Sequence, residues 1–241
     1  FEVCFDGANG GDGWYGGAKE SRTIDRRTYY DFPRAHKMVY KYQPHAIIFS
    51  DGGPGCRWVG NENGYADATN WSFLRINEVY PGYDKYYELT SGHADGDTWV
   101  PSECNTSIRP GWFYHESEDS RVKSIEQLPD LYYRSVGHNG TFLLNFPVDK
   151  DGLIHPIDSA HAVDYHKLVA AELSNNLLKK VSIKASNVRD KKLYGTQRLT
   201  DGNYDTYWAT EDGVTTATLE ITLKGTQLVN RVMLQEYIPL G

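Results

Sequence analysis

Two hydrophobic rhythms divide this 241-residue chain. In the first, short apolar runs alternate with stretches of helical spacing. Phe1-Glu2-Val3-Cys4-Phe5-Asp6 reads as a strand ending on a carboxylate, and Gly7-Ala8-Asn9-Gly10-Gly11-Asp12-Gly13 as the turn after it. From about 25 to 43, Phe32, Ala35, Val39 and Tyr42 recur at intervals of three and four, the mark of an amphipathic helix, with Pro33 near its start and Pro44 closing it. His45 to Ser50 is a compact β-rich run, so strand, helix and strand follow within the first 50 residues as a βαβ unit. Residues 63–97, rich in Gly, Asp, Asn and Tyr without steady period, read as a long irregular excursion over the catalytic face. Strands are expected at Thr98–Cys104, Gly111–His115 and Thr141–Phe146, and helices over about 120–136 and from Asp158, as N-cap, to Leu178.

Past Leu178 the rhythm changes. Val181–Ser186, Thr216–Leu223 and Leu228–Ile238 alternate apolar and polar, separated by turn signals such as Asp201-Gly202-Asn203 and Asp212-Gly213. That is β-sandwich texture. The expected organisation is an α/β domain over 1–178 and a β-sandwich over 179–241, and about five strands in the first part are too few to close an eight-stranded barrel.

Composition narrows the chemistry. A net charge of -7 provides no basic field for nucleic acid, and no apolar run reaches the length of a membrane span. Cys4, Cys56 and Cys104, odd in number and widely spaced, suggest free thiols rather than a disulfide framework or a metal site. The 18 Tyr and 6 Trp suit surfaces that stack on sugar rings as well as ordinary core. Sequons occur at Asn70, Asn105 and Asn139 and matter only in a secretory setting.

Asp6, delivered by a strand to a glycine-rich loop, and Glu62, in Arg57-Trp58-Val59-Gly60-Asn61-Glu62, are two carboxylates on loops after successive strands. Such a pair is the minimum equipment for hydrolysing a glycosidic bond. Glu103 is a reserve acid or hydroxyl ligand.

Five motifs in order extend this reading. Phe5-Asp6-Gly7-Ala8-Asn9-Gly10, Arg57 to Glu62, Ile108-Arg109-Pro110-Gly111-Trp112-Phe113-Tyr114-His115, Ser135-Val136-Gly137-His138-Asn139-Gly140 and Leu143-Leu144-Asn145 resemble those of the α-L-fucosidases of glycoside hydrolase family 29, in the branch favouring α-1,3 and α-1,4 linkages. The resemblance covers most of residues 1–160. It implies the C-terminal half of a TIM-like (β/α)-barrel followed by an incomplete discoidin-like β-sandwich, a chain truncated at both ends. It also implies Asp6 as nucleophile and Glu62 as general acid/base of a retaining exo-glycosidase acting on fucosylated glycans, with no cofactor or metal and a periplasmic or secreted location. Arg57, Trp58, Trp112, Glu103 and His115 are the expected substrate contacts, Trp112 walling the fucose methyl group and Arg57 donating to hydroxyls. The usual Pro-Asp-x-Arg-Trp is here Pro54-Gly55-Cys56-Arg57-Trp58. Half a barrel leaves strand edges bare, so a homo-oligomer covering them is expected. The rival reading is a non-catalytic carbohydrate-binding remnant, and a third is a cleaved half that needs its other fragment.

Overall fold

The computed structural model describes residues 1–5, 13–14, 21–22, 24–179 and 181–238. Its strands and helices, in chain order, are β1 (Glu2–Cys4), β2 (Gly13–Trp14), β3 (Ser21–Arg22), α1 (Phe32–Tyr42), β4 (Ile47–Ser50), β5 (Cys56–Trp58), β6 (Phe73–Leu74), β7 (Thr98–Trp99), β8 (Ser102–Ser107), α2 (Gln127–Ser135), β9 (Gly140–Asn145), α3 (Pro156–Leu173), β10 (Ser182–Ala185) and β11 (Leu219–Thr222). β1, β4, β5, β8 and β9 form one parallel sheet in that order. This five-stranded sheet, with α1 between β1 and β4 and α2 between β8 and β9, fits the expected partial TIM-like barrel. The chain divides into two compact units, Phe1–Val169 and Ala170–Gly241.

Alternation along the strands separates the two faces of the sheet. Phe5 meets Phe32 and His36 of α1, at ring-centre distances of 6.1 and 6.2 Å. A Cβ on Gly140 would touch Ser102 Oγ, Cys104 Sγ and the Ser135 carbonyl at the end of α2. Ser102, Cys104 and Thr106 therefore face the helical layer, together with Arg57, the partner of Ser102 across the ladder. Glu103, Asn105 and Ser107, with Cys56, Trp58, Glu2 and Cys4, stand on the opposite, inner face.

Several elements differ from their expected spans, each for a local reason. α1 begins at Phe32, not near 25, because Pro33 belongs in a first turn. The preceding residues are held in turns by Asp25, which accepts from Arg27 N and Thr28 Oγ1. Tyr42, counted on its apolar face, is 65% exposed. The strand expected over 98–104 breaks at Pro101 into β7, which pairs with β6, and β8, which enters the sheet. Gly111–His115 is irregular rather than a strand. α2 starts only at Gln127, after a 3-10 turn over Glu116–Arg121. Asp158 is no N-cap: it lies fully buried in the first turn of α3 and pairs with Arg109.

The 63–97 excursion touches both faces of the sheet: Asn70 donates to Ser102 Oγ at 2.7 Å and to the His138 carbonyl at 2.8 Å on the helical-layer side, while Tyr86 stacks on Trp58 of the inner face and meets the chain at Gly60 beyond β5. Leu74, Val79, Tyr83, Leu89 and Val100 give it and its return strand a core of their own.

In the second unit, β10 and β11 pair antiparallel from Ser182↔Thr222 to Ala185↔Leu219. Tyr207 stacks on Tyr237 at 4.2 Å, and Asp201 closes a turn by accepting from Asn203 N and Thr206 Oγ1. Among the described residues the expected strand at 228–238 forms no ladder, and Leu228, Val232, Met233 and Leu234 are each at least 79% exposed.

Candidate active site

The C-terminal ends of β5 and β8 build one concave site. Beyond β5 the buried Val59 anchors the chain and Gly60 turns it at φ 82°, where a Cβ would run into the Tyr86 carbonyl. Asn61 then fixes the loop, accepting from Asn63 N at 2.9 Å and donating to the Tyr65 carbonyl at 3.1 Å. Glu62 is carried at the exposed tip.

Beyond β8 the segment 108–115 is tied down by Arg109, fully buried. Its Nε and Nη2 donate to the two Asp158 oxygens at 2.7 and 2.9 Å, and its Nη1 to Asp119 at 2.8 Å and to the His115 carbonyl at 3.3 Å. The paired Asp158, then Asp119, raise the guanidinium above its already high ordinary value. The same guanidinium sits 4.6 Å from the Tyr114 ring centre. A segment so anchored presents Trp112 to Glu62: the indole Nε1 donates to Glu62 Oε2 at 2.9 Å. From the far side Asn145 of β9 donates to the Trp112 carbonyl at 3.0 Å and to Ser107 Oγ at 3.1 Å.

These residues enclose a cavity of about 210 Å³, lined by Glu62, Asn63, Thr106, Ser107, Arg109, Pro110, Trp112 and Lys123. It suits one sugar ring: an aromatic wall, a carboxyl group held by one oxygen, and polar edges. Lys123 donates to the Ser107 carbonyl at 2.5 Å, and burial lowers the pKa of its ammonium. Lys123, Ser107 and Arg109 were not among the residues expected here. Arg109 carried a signal in its motif, as an arginine between an apolar residue and Pro-Gly. Lys123 carried none.

The expected site residues thus separate. Glu62 and Trp112 meet at the cavity. Asp6 lies outside the described residues. Trp58 donates to Asn105 Oδ1 at 3.2 Å and stacks on Tyr86 with ring centres 6.1 Å apart. Arg57 is no free hydroxyl donor: it is fully buried and donates to the Leu89 and Val100 carbonyls and to Asn70 Oδ1 at 3.0, 2.6 and 2.7 Å. Burial lowers it to about 10, still protonated near neutrality. His115 is exposed, and its recorded contact is made by its carbonyl.

Glu103 sits near the other end of β8, about 13 Å from Ser107 at strand rise. There it joins Glu2 and Cys56, with one ligand atom from each within 4.8 Å of the others. Sequence spacing had suggested no metal-capable group, because these three come from three separate strands. Burial, then the neighbouring Glu2, pushes the Glu103 carboxyl up to about 7.

The α-L-fucosidase family model matches residues 12–167. Alpha-L-fucosidase 1 of Arabidopsis thaliana is 35% identical over 235 residues, 95% of this chain and 45% of the plant protein. A solved glycoside hydrolase 29 family member from an unknown rumen bacterium is 49% identical, with a TM-score of 0.69 over 76% of this chain and 33% of that one. A Ruminococcus gnavus family 29 fucosidase, solved in complex with fucose, is 30% identical with a TM-score of 0.72, covering 91% of this chain and 44% of that one. The chain spans less than half the length of the curated relatives it matches.

Proposed function

The chain belongs to the α-L-fucosidase family, glycoside hydrolase family 29, and from that premise we propose that it serves a retaining exo-glycosidase releasing terminal α-L-fucosyl groups. The observation that carries this reading is the Glu62 carboxyl held by Trp112 at the mouth of a sugar-sized cavity beyond the parallel strands. In the proposed double displacement Asp6 attacks the anomeric carbon while Glu62 gives its proton to the departing glycosidic oxygen. Glu62, now a carboxylate, removes a proton from water, and the water oxygen displaces Asp6 from the sugar. The bond to Trp112 engages Oε2, leaving Oε1 for proton transfer. The indole face supplies an apolar wall for the C5 methyl of a 6-deoxy sugar, and Arg109 acts beneath it as the anchor of the segment.

The substrate we propose is a fucosylated oligosaccharide or glycoconjugate. The α-1,3/α-1,4 preference rests on the ordered motifs alone. We also propose a domain boundary at 178/179, since α3 continues to Leu173, and read 179–241 as part of a discoidin-like sandwich whose pairing begins with β10 and β11. For the edges β1 and β9 we propose cover by a second copy of the chain.

Turnover of p-nitrophenyl α-L-fucoside by the purified chain tests the central reading. The parent should release fucose with retained anomeric configuration, Asp6→Asn should be inactive, and Glu62→Ala should lose about 10²–10⁴-fold in kcat. Fucoside binding without turnover in the parent would support a carbohydrate-binding remnant instead. Activity appearing only when the missing part of a longer relative is added would support a cleaved half.

A further inference from the structure

At the end of the inner sheet face remote from the cavity, the chain gathers a second constellation. Glu2 on β1, Cys56 on β5 and Glu103 on β8 bring a thiol sulfur and two carboxylate oxygens within 4.8 Å of one another. The placement follows from strand register: Glu2 and Cys56 flank β4, and Glu103 lies one strand further on, opposite Trp58. Glu103 is 4% exposed and Cys56 8% exposed.

Two facts make an ordinary packing role a poor fit. Among the described residues no lysine or arginine pairs with the buried Glu103, whose side chain instead hydrogen-bonds another acid, Glu2. Burying one carboxyl beside a second is costly. Independently, the Cys56 thiol is more than nine-tenths buried, points into the same space, and has no recorded hydrogen bond to any described residue. A buried sulfur aimed at two carboxyl oxygens is a mixed thiolate–carboxylate donor set of the kind that binds divalent metal.

We propose that Glu2, Cys56 and Glu103 form a structural divalent-metal site, and that Zn²⁺ is the ion it takes. One thiolate and two carboxylates leave a fourth tetrahedral position for water. The soft sulfur favours Zn²⁺ over Mg²⁺ or Ca²⁺, which prefer all-oxygen sets. Bond lengths of about 2.0–2.3 Å imply ligand separations of about 3.5 Å, so the group must contract around the ion. Glu2, the exposed member on an edge strand, is the one that moves inward. Binding exchanges the metal for the thiol proton and for any proton held by the carboxyl pair, all released to the buffer. Joining β1, β5 and β8, the ion would clip three strands of the sheet at the end away from Glu62.

The full chain, stripped with chelator and dialysed, is titrated with ZnCl₂ by calorimetry, and in parallel with CoCl₂ by absorption. One equivalent should bind, the cobalt form should show a thiolate-to-metal charge-transfer band, and Zn²⁺ should raise the thermal midpoint. Cys56→Ser should abolish the band, and Glu103→Gln should weaken binding at least tenfold. Glu2→Gln, on an exposed residue of an edge strand, tests the same ligand set should the buried variants misfold. Three outcomes would overturn the proposal. One is the absence of stoichiometric binding. Another is binding without the charge-transfer band, which would place the ion elsewhere. The third is a Glu103→Gln chain whose midpoint rises without any zinc response, as expected if the two acids only share a proton.

Discussion

Two arginines show what single residues do in this fold. Both Arg57 and Arg109 are fully buried, and both spend their donors on the protein. Arg109 meets carboxylates, so removing one partner strands a buried charge. Asp158→Asn should cost about 3–5 kcal/mol in a urea melt. It should also lower kcat more than it raises KM, because Trp112 loses its footing beside Glu62; an unchanged melt would show the pair to be idle. Trp112→Phe keeps the wall and removes one donor to a carboxyl, for an expected loss of about tenfold in kcat on p-nitrophenyl fucoside. His36 provides a pH test. It packs against Phe5 and Phe32 with a buried Nε2 that has no hydrogen-bond partner among the described residues, and burial lowers its pKa. The unfolded chain therefore binds the extra proton first as pH falls through about 6.5. Stability is fully present above that value and declines below it, towards and past the folded pKa. Between about pH 7.5 and pH 5.5, His36→Phe should flatten the fall of the urea midpoint. Glu62 and Trp112, which meet at the cavity, were legible as candidates because motif and chemistry coincide in them. Arg57 was not, because the acceptors that claim it lie 13, 32 and 43 residues away. The sequons were equally opaque: the Asn70, Asn105 and Asn139 side chains are engaged in internal hydrogen bonds.

At the scale of elements, proline and glycine set limits that hydrophobic rhythm blurred. Pro33 marked the start of α1, and Pro101 split one expected strand into two that serve different sheets. Gly111–His115 has the apolar residues of a strand, yet its course is set by Arg109 and Asn145, which tie the His115 and Trp112 carbonyls. Such long-range ties leave no local signal. Gly60 is the tightest of these constraints near the site. With φ at 82° and the Tyr86 carbonyl where a Cβ would go, Gly60→Ala cannot keep the loop that carries Glu62. The variant should melt earlier and lose most turnover, and proteolysis should cut first within 59–65. A variant as stable and active as the parent would show that the loop does not fix Glu62.

Across the whole molecule, a sheet carrying β1, β4, β8 and β9 was readable from apolar runs set between helical spacings, but β5 was hidden inside the Arg57–Glu62 motif, and Gly111–His115 was expected in its place. The change of rhythm after Leu178 was visible too, but its strands were less so: β10 and β11 pair, while 228–237 offers apolar residues without a ladder. Alternation alone specifies a strand that has a neighbour to meet, not the neighbour. The proposed second copy over β1 and β9 is tested by sedimentation of the purified chain, where a dimer or higher species is expected and a stable monomer would contradict it. The double displacement has a more direct test. The chain is incubated with 2-deoxy-2-fluoro-fucosyl fluoride, digested, and its peptides weighed. A fluorofucosyl adduct on Asp6 in the parent, formed far more slowly in Glu62→Ala when the leaving group needs a proton, is the expected result. No adduct, or one on another carboxylate, would contradict it.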